Sequence, residues 1–148
     1  MMTDNTPSPD TILVVDDNEQ NLELIVAYLE DLDFSIVKAA DGLEALARVS
    51  ESVPDLILLD VMMPRMSGFE VCRKLKSAPE TRDVPIIMVT ALNEMGDIEQ
   101  AVESGTDDFI TKPVNRLELV TRVRSLLRVS HLQGELERTL AHIKNLEG

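Results

Sequence analysis

Short apolar runs alternate along this chain with stretches in which hydrophobic residues recur at helical spacing. The runs lie at 12–15, 56–59, 86–89 and 108–111, and a further strand is predicted at 34–39. Continuous apolar runs separated by helical stretches are typical of strands buried on both faces of a parallel sheet. The pattern therefore predicts five strand–helix units in succession.

The intervening helices are marked by periodicity and by residues that cap helices. The first is predicted over 18–32, another over 97–104, and the last from Asn115 onward. Asp41 and Ser67 are residue types favoured at N-caps, and each is predicted to begin a helix. Five such units make an α/β fold of the flavodoxin-like kind. We predict a doubly wound parallel sheet with the strand order 2-1-3-4-5.

Polar side chains with reactive groups follow the strands at their carboxyl ends. They are, in chain order, Asp16 and Asp17, Asp60, Thr90, and Lys112 with Pro113. In open parallel sheets the ligand crevice lies beyond the carboxyl ends of the strands. Three carboxylates, one hydroxyl and one ammonium are therefore expected to meet at one edge of the molecule.

Composition and charge narrow the classes of function. With 148 residues, 44% of them hydrophobic, the chain is long enough for one domain with a core. Its apolar runs are far shorter than the ~18 residues of a membrane span, so no membrane contact is expected. A net charge of −13 argues against direct binding to nucleic acid, because phosphate contacts need clustered Lys and Arg. The single cysteine, Cys72, suits a structural role in a reducing cytoplasm.

The expected acidic cluster has a definite chemistry. Carboxylates held close together repel one another, and a hard divalent cation with oxygen ligands neutralises them. Mg²⁺ suits such a site, with Mn²⁺ as an alternative. Lys112 and Thr90 offer donors to anionic oxygens, so the set describes a site for a phosphoryl group. One carboxylate is then the expected acceptor, because a carboxylate can attack phosphorus and form an aspartyl phosphate.

The residues at the strand ends, taken in order, match a known set of motifs. Asp16-Asp17, Asp60, Thr90 and Lys112-Pro113 are similar to those of the response-regulator receiver domain of two-component signalling. The segment LLDVMMPRMSGFE at 58–70 also resembles the phosphoacceptor loop of that family. The resemblance covers 11–128, and it is closest to receivers at the head of multi-domain regulators such as diguanylate cyclases.

The resemblance implies which residues accept phosphate and bind metal. Asp60 would be the phosphoacceptor, and a histidine kinase or a phosphotransfer protein would be the donor. Asp17 and Asp60 would bind Mg²⁺ together with the backbone carbonyl of Met62, and Asp16 would contact it through water. Beyond taking up the phosphoryl group and slowly losing it, the chain is not expected to be an enzyme.

The resemblance also implies how the phosphoryl group is sensed. Lys112 would pair with the phosphoryl oxygens, and the Lys112–Pro113 peptide bond would be cis. Thr90 would move to bind the phosphate, and Phe109 matches the aromatic residue that moves inward behind it. The resulting change is expected on the face built by helix four, strand five and helix five, where a homodimer would form.

Two further positions are expected to set how long the phosphoryl group persists. Met62 lies two residues after Asp60, and Leu92 lies two residues after Thr90. In the family these sites admit or exclude the attacking water. Because both side chains are bulky and apolar here, we expect a phosphorylated state that persists longer than with polar residues at these sites.

Hydrophobic residues at heptad-like spacing continue beyond the receiver-like part of the chain. This seam consists of Val129, Leu132, Leu136, Thr139, Ile143 and Leu146. We predict a disordered lead-in at 1–10, a receiver domain at 11–128 and a helical extension at 129–148. The extension could fold back on its own domain. The favoured alternative is a signalling helix that pairs with a second copy and leads to an output domain in a longer protein.

Other functions are compatible with parts of the pattern. A Mg²⁺-dependent aspartate-nucleophile phosphohydrolase would carry Asp-x-Asp after strand one, whereas 16–19 reads Asp-Asp-Asn-Glu. A flavin carrier is poorly supported because aromatic residues are scarce, and a degenerate receiver would have lost an acidic position or the lysine. Taken singly, Asp17 could be only the N-cap of the first helix, and Phe109 only a core aromatic residue.

Overall fold

The apolar runs form strands, and the periodic stretches between them form helices. The computed structural model describes residues 9–91 and 95–147. In chain order the elements are β1 (Asp10–Val15), α1 (Glu19–Glu30), β2 (Phe34–Ala39), α2 (Gly42–Glu51), β3 (Leu56–Asp60), α3 (Gly68–Ser77), β4 (Ile86–Thr90), α4 (Met95–Glu103), β5 (Asp108–Thr111) and α5 (Arg116–Glu147). Every predicted strand and helix is present, with ends shifted by a few residues at most.

The strands form one parallel sheet in the order β2-β1-β3-β4-β5. This confirms the predicted doubly wound, flavodoxin-like α/β fold. Helices α1 and α5 pack on one face of the sheet, and α2, α3 and α4 pack on the other. The chain thus leaves the adjacent strands β1 and β3 toward opposite faces, which opens a crevice between their carboxyl ends.

The core is divided by the sheet into two clusters, because successive side chains of a strand point to opposite faces. In β1, Leu13 and Val15 pack toward α2 and α3, whereas Ile12 and Val14 pack toward α1 and α5. β3 and β4 are buried along their whole lengths. Cys72 is also buried, where its thiol donates to the carbonyl of Ser104 at 3.3 Å.

Side-chain caps fix where the helices begin. The carboxylate of Asp41 accepts from the backbone N–H of Glu44 at 2.7 Å, and Ser67 accepts from that of Glu70 at 3.3 Å. Both predicted caps are confirmed. The cap of α1 is Asn18, whose side chain accepts from the N–H of Asn21 at 3.0 Å. The alternative in which Asp17 serves as that cap is therefore wrong.

The last helix continues far past the sheet. Its first half packs on the core through Leu119, Val123 and Leu127, which are all buried. Beyond them the predicted seam is exposed at every position: Val129, Leu132, Leu136, Thr139, Ile143 and Leu146. Among the described residues, no helix combines the length and apolar character that crossing a membrane requires.

Candidate functional site

Three aspartates meet at the crevice between β1 and β3. Asp16 and Asp17 follow β1, and Asp60 is the last residue of β3. One carboxylate oxygen from each lies within 4.8 Å of the others. Asp16 and Asp60 are 1% and 3% exposed, whereas Asp17 faces solvent. The site therefore has two acidic groups at its floor and one at its mouth.

Lys112, in the segment after β5, places its ammonium group over this floor. Its Nζ lies 3.1 Å from Oδ1 of Asp60 and 3.5 Å from Oδ2 of Asp16. Its backbone N–H donates to the carbonyl of Thr90 at 2.7 Å, and the Lys112–Pro113 peptide bond is cis. The other oxygen of Asp16 accepts from the N–H of Asn18 at 2.8 Å. The ammonium of Lys112 thus links the ends of β1 and β3 to the segment that follows β5.

The protonation of the site reflects burial and crowding of negative charge. The pKa of Asp60 is raised to about 6, mainly by burial and secondly by the charge of Asp16, while the ammonium of Lys112 opposes both. Burial alone would lower the pKa of Lys112, but the carboxylates of Asp60 and Asp16 outweigh it and raise that pKa. One ammonium therefore does not neutralise three carboxylates, and a further cation would stabilise the ionised form of Asp60.

The raised pKa predicts how stability depends on pH in the absence of metal. The folded chain holds the Asp60 proton up to about pH 6, whereas the unfolded chain releases it near the ordinary value of 3.8. The free energy of unfolding should fall as pH rises through this window, by about 2–3 kcal/mol, and level off above it. Urea denaturation in EDTA measures this profile.

Other carboxyl groups also titrate in that window. The informative quantity is therefore the difference in free energy of unfolding between wild type and Asp60→Asn at each pH. The variant should be the more stable of the two above pH 6, with the gap closing toward pH 4. If the free energy of unfolding depended on pH in the same way in both proteins, ionised Asp60 would not destabilise the fold. Excess Mg²⁺ should narrow the gap above pH 6 by stabilising wild type.

The donor set fits a hard divalent cation. All three groups are carboxylates, and no soft sulfur or imidazole ligand lies among them. Oxygen-only ligands with an open, solvent-facing side suit Mg²⁺, which keeps several waters in protein sites. Met62 lies in the loop two residues after Asp60, and its side chain is 66% exposed at the surface.

The two predicted switch residues lie on β4 and β5, the strands beyond β3 in the sheet. Thr90 is the last residue of β4, is buried, and lies one position beyond Val89, the partner of Asp60 in the sheet. Phe109, on β5, is half-buried against the core cluster that contains α2, α3 and α4. Leu92, predicted to tune phosphate lifetime, lies outside the described residues.

The loop after β3 contains a feature that the sequence analysis missed. Gly68 donates from its N–H to the carbonyl of Val61 at 2.9 Å. A Cβ at this position would overlap the backbone carbonyl oxygen of Asp60 and lie 2.9 Å from Cα of Val61. Within the same loop Arg65 adopts the left-handed conformation, with a φ of 71°. The only signal in the sequence was a glycine directly after the Ser67 cap, where most residues are tolerated.

Comparison with known families shows to which family this chain belongs. The family model of the response regulator receiver domain matches residues 12–124, which is most of the chain. The chain belongs to this family. The acidic cluster therefore lies in a receiver domain of the kind found in the response regulators of two-component systems, and the predicted resemblance is confirmed.

Relatives of this receiver domain are response regulators. It is 50% identical over 125 residues to the response regulator PleD of Caulobacter vibrioides, an alignment that covers 84% of this chain and 28% of PleD. It is 47% identical over 117 residues to the transcriptional regulatory protein ResD of Bacillus subtilis, covering 79% of this chain and 48% of ResD. The chain thus spans about half or less of these relatives.

Solved structures of receiver domains share the fold. The receiver domain of a signal transduction histidine kinase from Syntrophus aciditrophicus has a TM-score of 0.77 at 38% identity, covering 80% of this chain and 90% of that one. The receiver domain of the sensor histidine kinase PA1611 of Pseudomonas aeruginosa has a TM-score of 0.75 at 32% identity, covering 80% and 98%. That structure has a magnesium ion coordinated in its active site cleft.

Proposed function

We propose that this receiver domain is a phosphoacceptor switch in which Asp60 takes a phosphoryl group from a histidine kinase or a phosphotransfer protein. The observation that carries the proposal is the position of Asp60 between a second buried acid, Asp16, and the ammonium of Lys112. A buried carboxylate gains nothing from such crowding unless a cation and an anionic ligand complete the site. A cytoplasmic location follows for a domain that receives phosphate from a kinase.

The geometry suits attack by a carboxylate oxygen on phosphorus. An oxygen of Asp60 would bond to phosphorus as the phosphorus–nitrogen bond of the donor histidine breaks, and the imidazole nitrogen would then take a proton from water. Lys112 would pair with the phosphoryl oxygens. Mg²⁺ bound by Asp17, Asp60 and the carbonyl of Met62, and by Asp16 through water, would supply charge neutralisation. The raised pKa of Asp60 makes that cation necessary for full ionisation below neutral pH.

The structural change caused by phosphorylation would then spread through β4 and β5. Thr90 would turn toward the phosphoryl group and Phe109 would follow it inward, which biases a two-state rearrangement. Phe109 lies on β5 next to Asp108, whose carboxylate binds Arg122 of α5 at 2.7 Å. We propose that α4, β5 and α5 form a homodimer face and that the extension at 129–148, beyond the receiver at 11–128, carries the change onward.

Incubation with acetyl phosphate and Mg²⁺ tests the proposal. The protein should gain a hydroxylamine-sensitive phosphoryl group, detected by intact mass and located at Asp60 by borohydride reduction and peptide mapping. EDTA should prevent its formation. Catalytic turnover of a generic phosphate ester would instead support the phosphohydrolase, and the absence of any acyl phosphate would refute the switch.

The exposed side chain of Met62 should slow the loss of this phosphoryl group. An exposed apolar side chain two residues after Asp60 offers no hydrogen bond to an attacking water, whereas an amide can orient one. Met62→Asn should therefore shorten the lifetime of the phosphorylated form by about threefold to tenfold. The measurement is decay of the acyl phosphate after removal of the donor. The control is Leu43→Asn on α2, an exposed apolar residue outside both the acidic cluster and the proposed homodimer face.

A further inference from the structure

Met62 is the first residue after Asp60 whose side chain reaches solvent. Val61, which lies between them, is 1% exposed, whereas Met62 is 66% exposed. Two residues of extended chain span at most about 7 Å, so the Cα atoms of Asp60 and Met62 cannot lie farther apart than that. An exposed thioether is therefore tethered close to the carboxylate that is proposed to accept phosphate.

The loop after β3 holds Met62 in this exposed position. The carbonyl of Val61 accepts from the N–H of Met63 at 3.1 Å and from that of Gly68 at 2.9 Å. The side chain of Met63 packs in the core and is only 8% exposed. Because both chain neighbours of Met62 are buried and the loop is hydrogen-bonded across its base, the thioether of Met62 stays in contact with solvent while the loop is intact.

The other methionines whose side chains the structure describes are better protected from solvent. Met88 is fully buried in β4, Met63 lies in the core, and Met66 is partly buried against the same core cluster. A dissolved oxidant must touch the sulfur atom to react with it, and oxidation of methionine makes an apolar side chain polar. We therefore expect a peroxide to modify Met62 before it modifies these three residues.

Oxidation changes what the Met62 side chain offers to a water molecule. Hydrogen peroxide transfers one oxygen atom to the thioether sulfur as the O–O bond breaks, so that sulfur loses two electrons and peroxide leaves as water. The product is a sulfoxide, which methionine sulfoxide reductases convert back to the thioether. Thioether sulfur is a weak hydrogen-bond acceptor, whereas the sulfoxide oxygen is polar and accepts readily. A sulfoxide at this position can thus bind and orient water near Asp60.

We propose that Met62 is a redox-modification site, and that its conversion to the sulfoxide by a peroxide shortens the lifetime of the phosphoryl group on Asp60. The inference rests on the proposed phosphoacceptor function and adds an oxidative control of it. Water held by the sulfoxide oxygen attacks phosphorus, the bond between phosphorus and the Asp60 oxygen breaks, and the protons of that water pass to the released phosphate and to solvent. Peroxide thereby returns the switch to its unphosphorylated state.

Treatment of the full chain with hydrogen peroxide, stopped with catalase, tests the proposal. Peptide mass mapping should find one added oxygen on Met62 at a peroxide dose that leaves Met63, Met66 and Met88 largely unmodified. The protein is then labelled with acetyl phosphate and Mg²⁺, and decay of the acyl phosphate is followed after removal of the donor. Decay should be about threefold faster, or more, than in the untreated chain. The two methionine sulfoxide reductases, one for each epimer, should together restore the original rate.

Two variants assign the effect to one sulfur atom. Met62→Leu has an apolar side chain without sulfur, so its decay rate should be the same before and after peroxide. Met66→Leu should respond to peroxide as the unsubstituted chain does. Sulfoxide at Met62 with an unchanged decay rate, or faster decay that persists in Met62→Leu, would overturn the redox control alone. Absence of acyl phosphate from the untreated chain would overturn both the redox control and the phosphoacceptor function of Asp60.

Discussion

Replacing Asp60 with asparagine is expected to abolish acyl phosphate formation and to stabilise the metal-free protein. The amide keeps the size of the side chain but cannot attack phosphorus, so labelling by acetyl phosphate should fall below detection. It also removes a buried carboxyl group that lies beside Asp16 and has a pKa of about 6. The free energy of unfolding in EDTA at neutral pH should rise by about 2–3 kcal/mol.

Two matched substitutions make this result specific. Asp83→Asn, on the exposed stretch before β4, removes an equal charge outside the cluster and should leave labelling unchanged. Asp17→Asn keeps the nucleophile but removes the solvent-facing ligand, so labelling should persist only at much higher Mg²⁺. Labelling of Asp60→Asn at the wild-type rate would show that another residue accepts the phosphoryl group.

Gly68→Ala is expected to have a larger effect on stability than alanine at Gly42, Gly105 or Gly134. The new Cβ would overlap the carbonyl oxygen of Asp60 and press on Cα of Val61, and both are backbone atoms that cannot move without shifting the end of β3. Overpacking against backbone should destabilise the fold by about 3 kcal/mol or more. Urea denaturation measures the loss, and the rate of acyl phosphate formation should fall with it because Asp60 is displaced.

The same substitution at Gly134 provides the control. There the nearest atom to a Cβ is Nη1 of Arg138 at 3.4 Å, the far end of a flexible side chain. Because glycine is unfavourable inside a helix, Gly134→Ala should stabilise α5 by up to about 1 kcal/mol. If the free energy of unfolding falls in Gly68→Ala and rises in Gly134→Ala, the loss arises from the close approach at Gly68. A change of the same sign in both variants would contradict this explanation.

Much of this architecture is encoded in local patterns. Strands β3 and β4 are apolar on both faces because they are central and covered by helices on both sides, so continuous apolar runs identify them. Asp41 and Ser67 cap their helices through bonds that span only three residues. Since parallel strands end at one edge, the order of elements was enough to predict that Asp16 and Asp60 would meet.

The remainder depends on three-dimensional contacts between particular side chains and backbone atoms. The choice of Asn18 over Asp17 as the α1 cap depends on Asp16, whose oxygen takes the N–H of Asn18. The need for glycine at position 68 arises from the path of β3, not from the helix it begins. Lys76 likewise joins the end of α3 to Asp107 and to the carbonyl of Val84, both at 2.8 Å, which no periodicity reveals.

The occupied oxygens of Asp16 have a consequence for how fast the site exchanges its ion. One oxygen is held by the N–H of Asn18 and the other lies near Lys112, so Asp16 is expected to contact a cation only through water. The direct carboxylate ligands would then be buried Asp60 and solvent-facing Asp17. An ion held on one side by a side chain that can swing into water should leave rapidly, so free Mg²⁺ would re-equilibrate with the domain without any opening of its core.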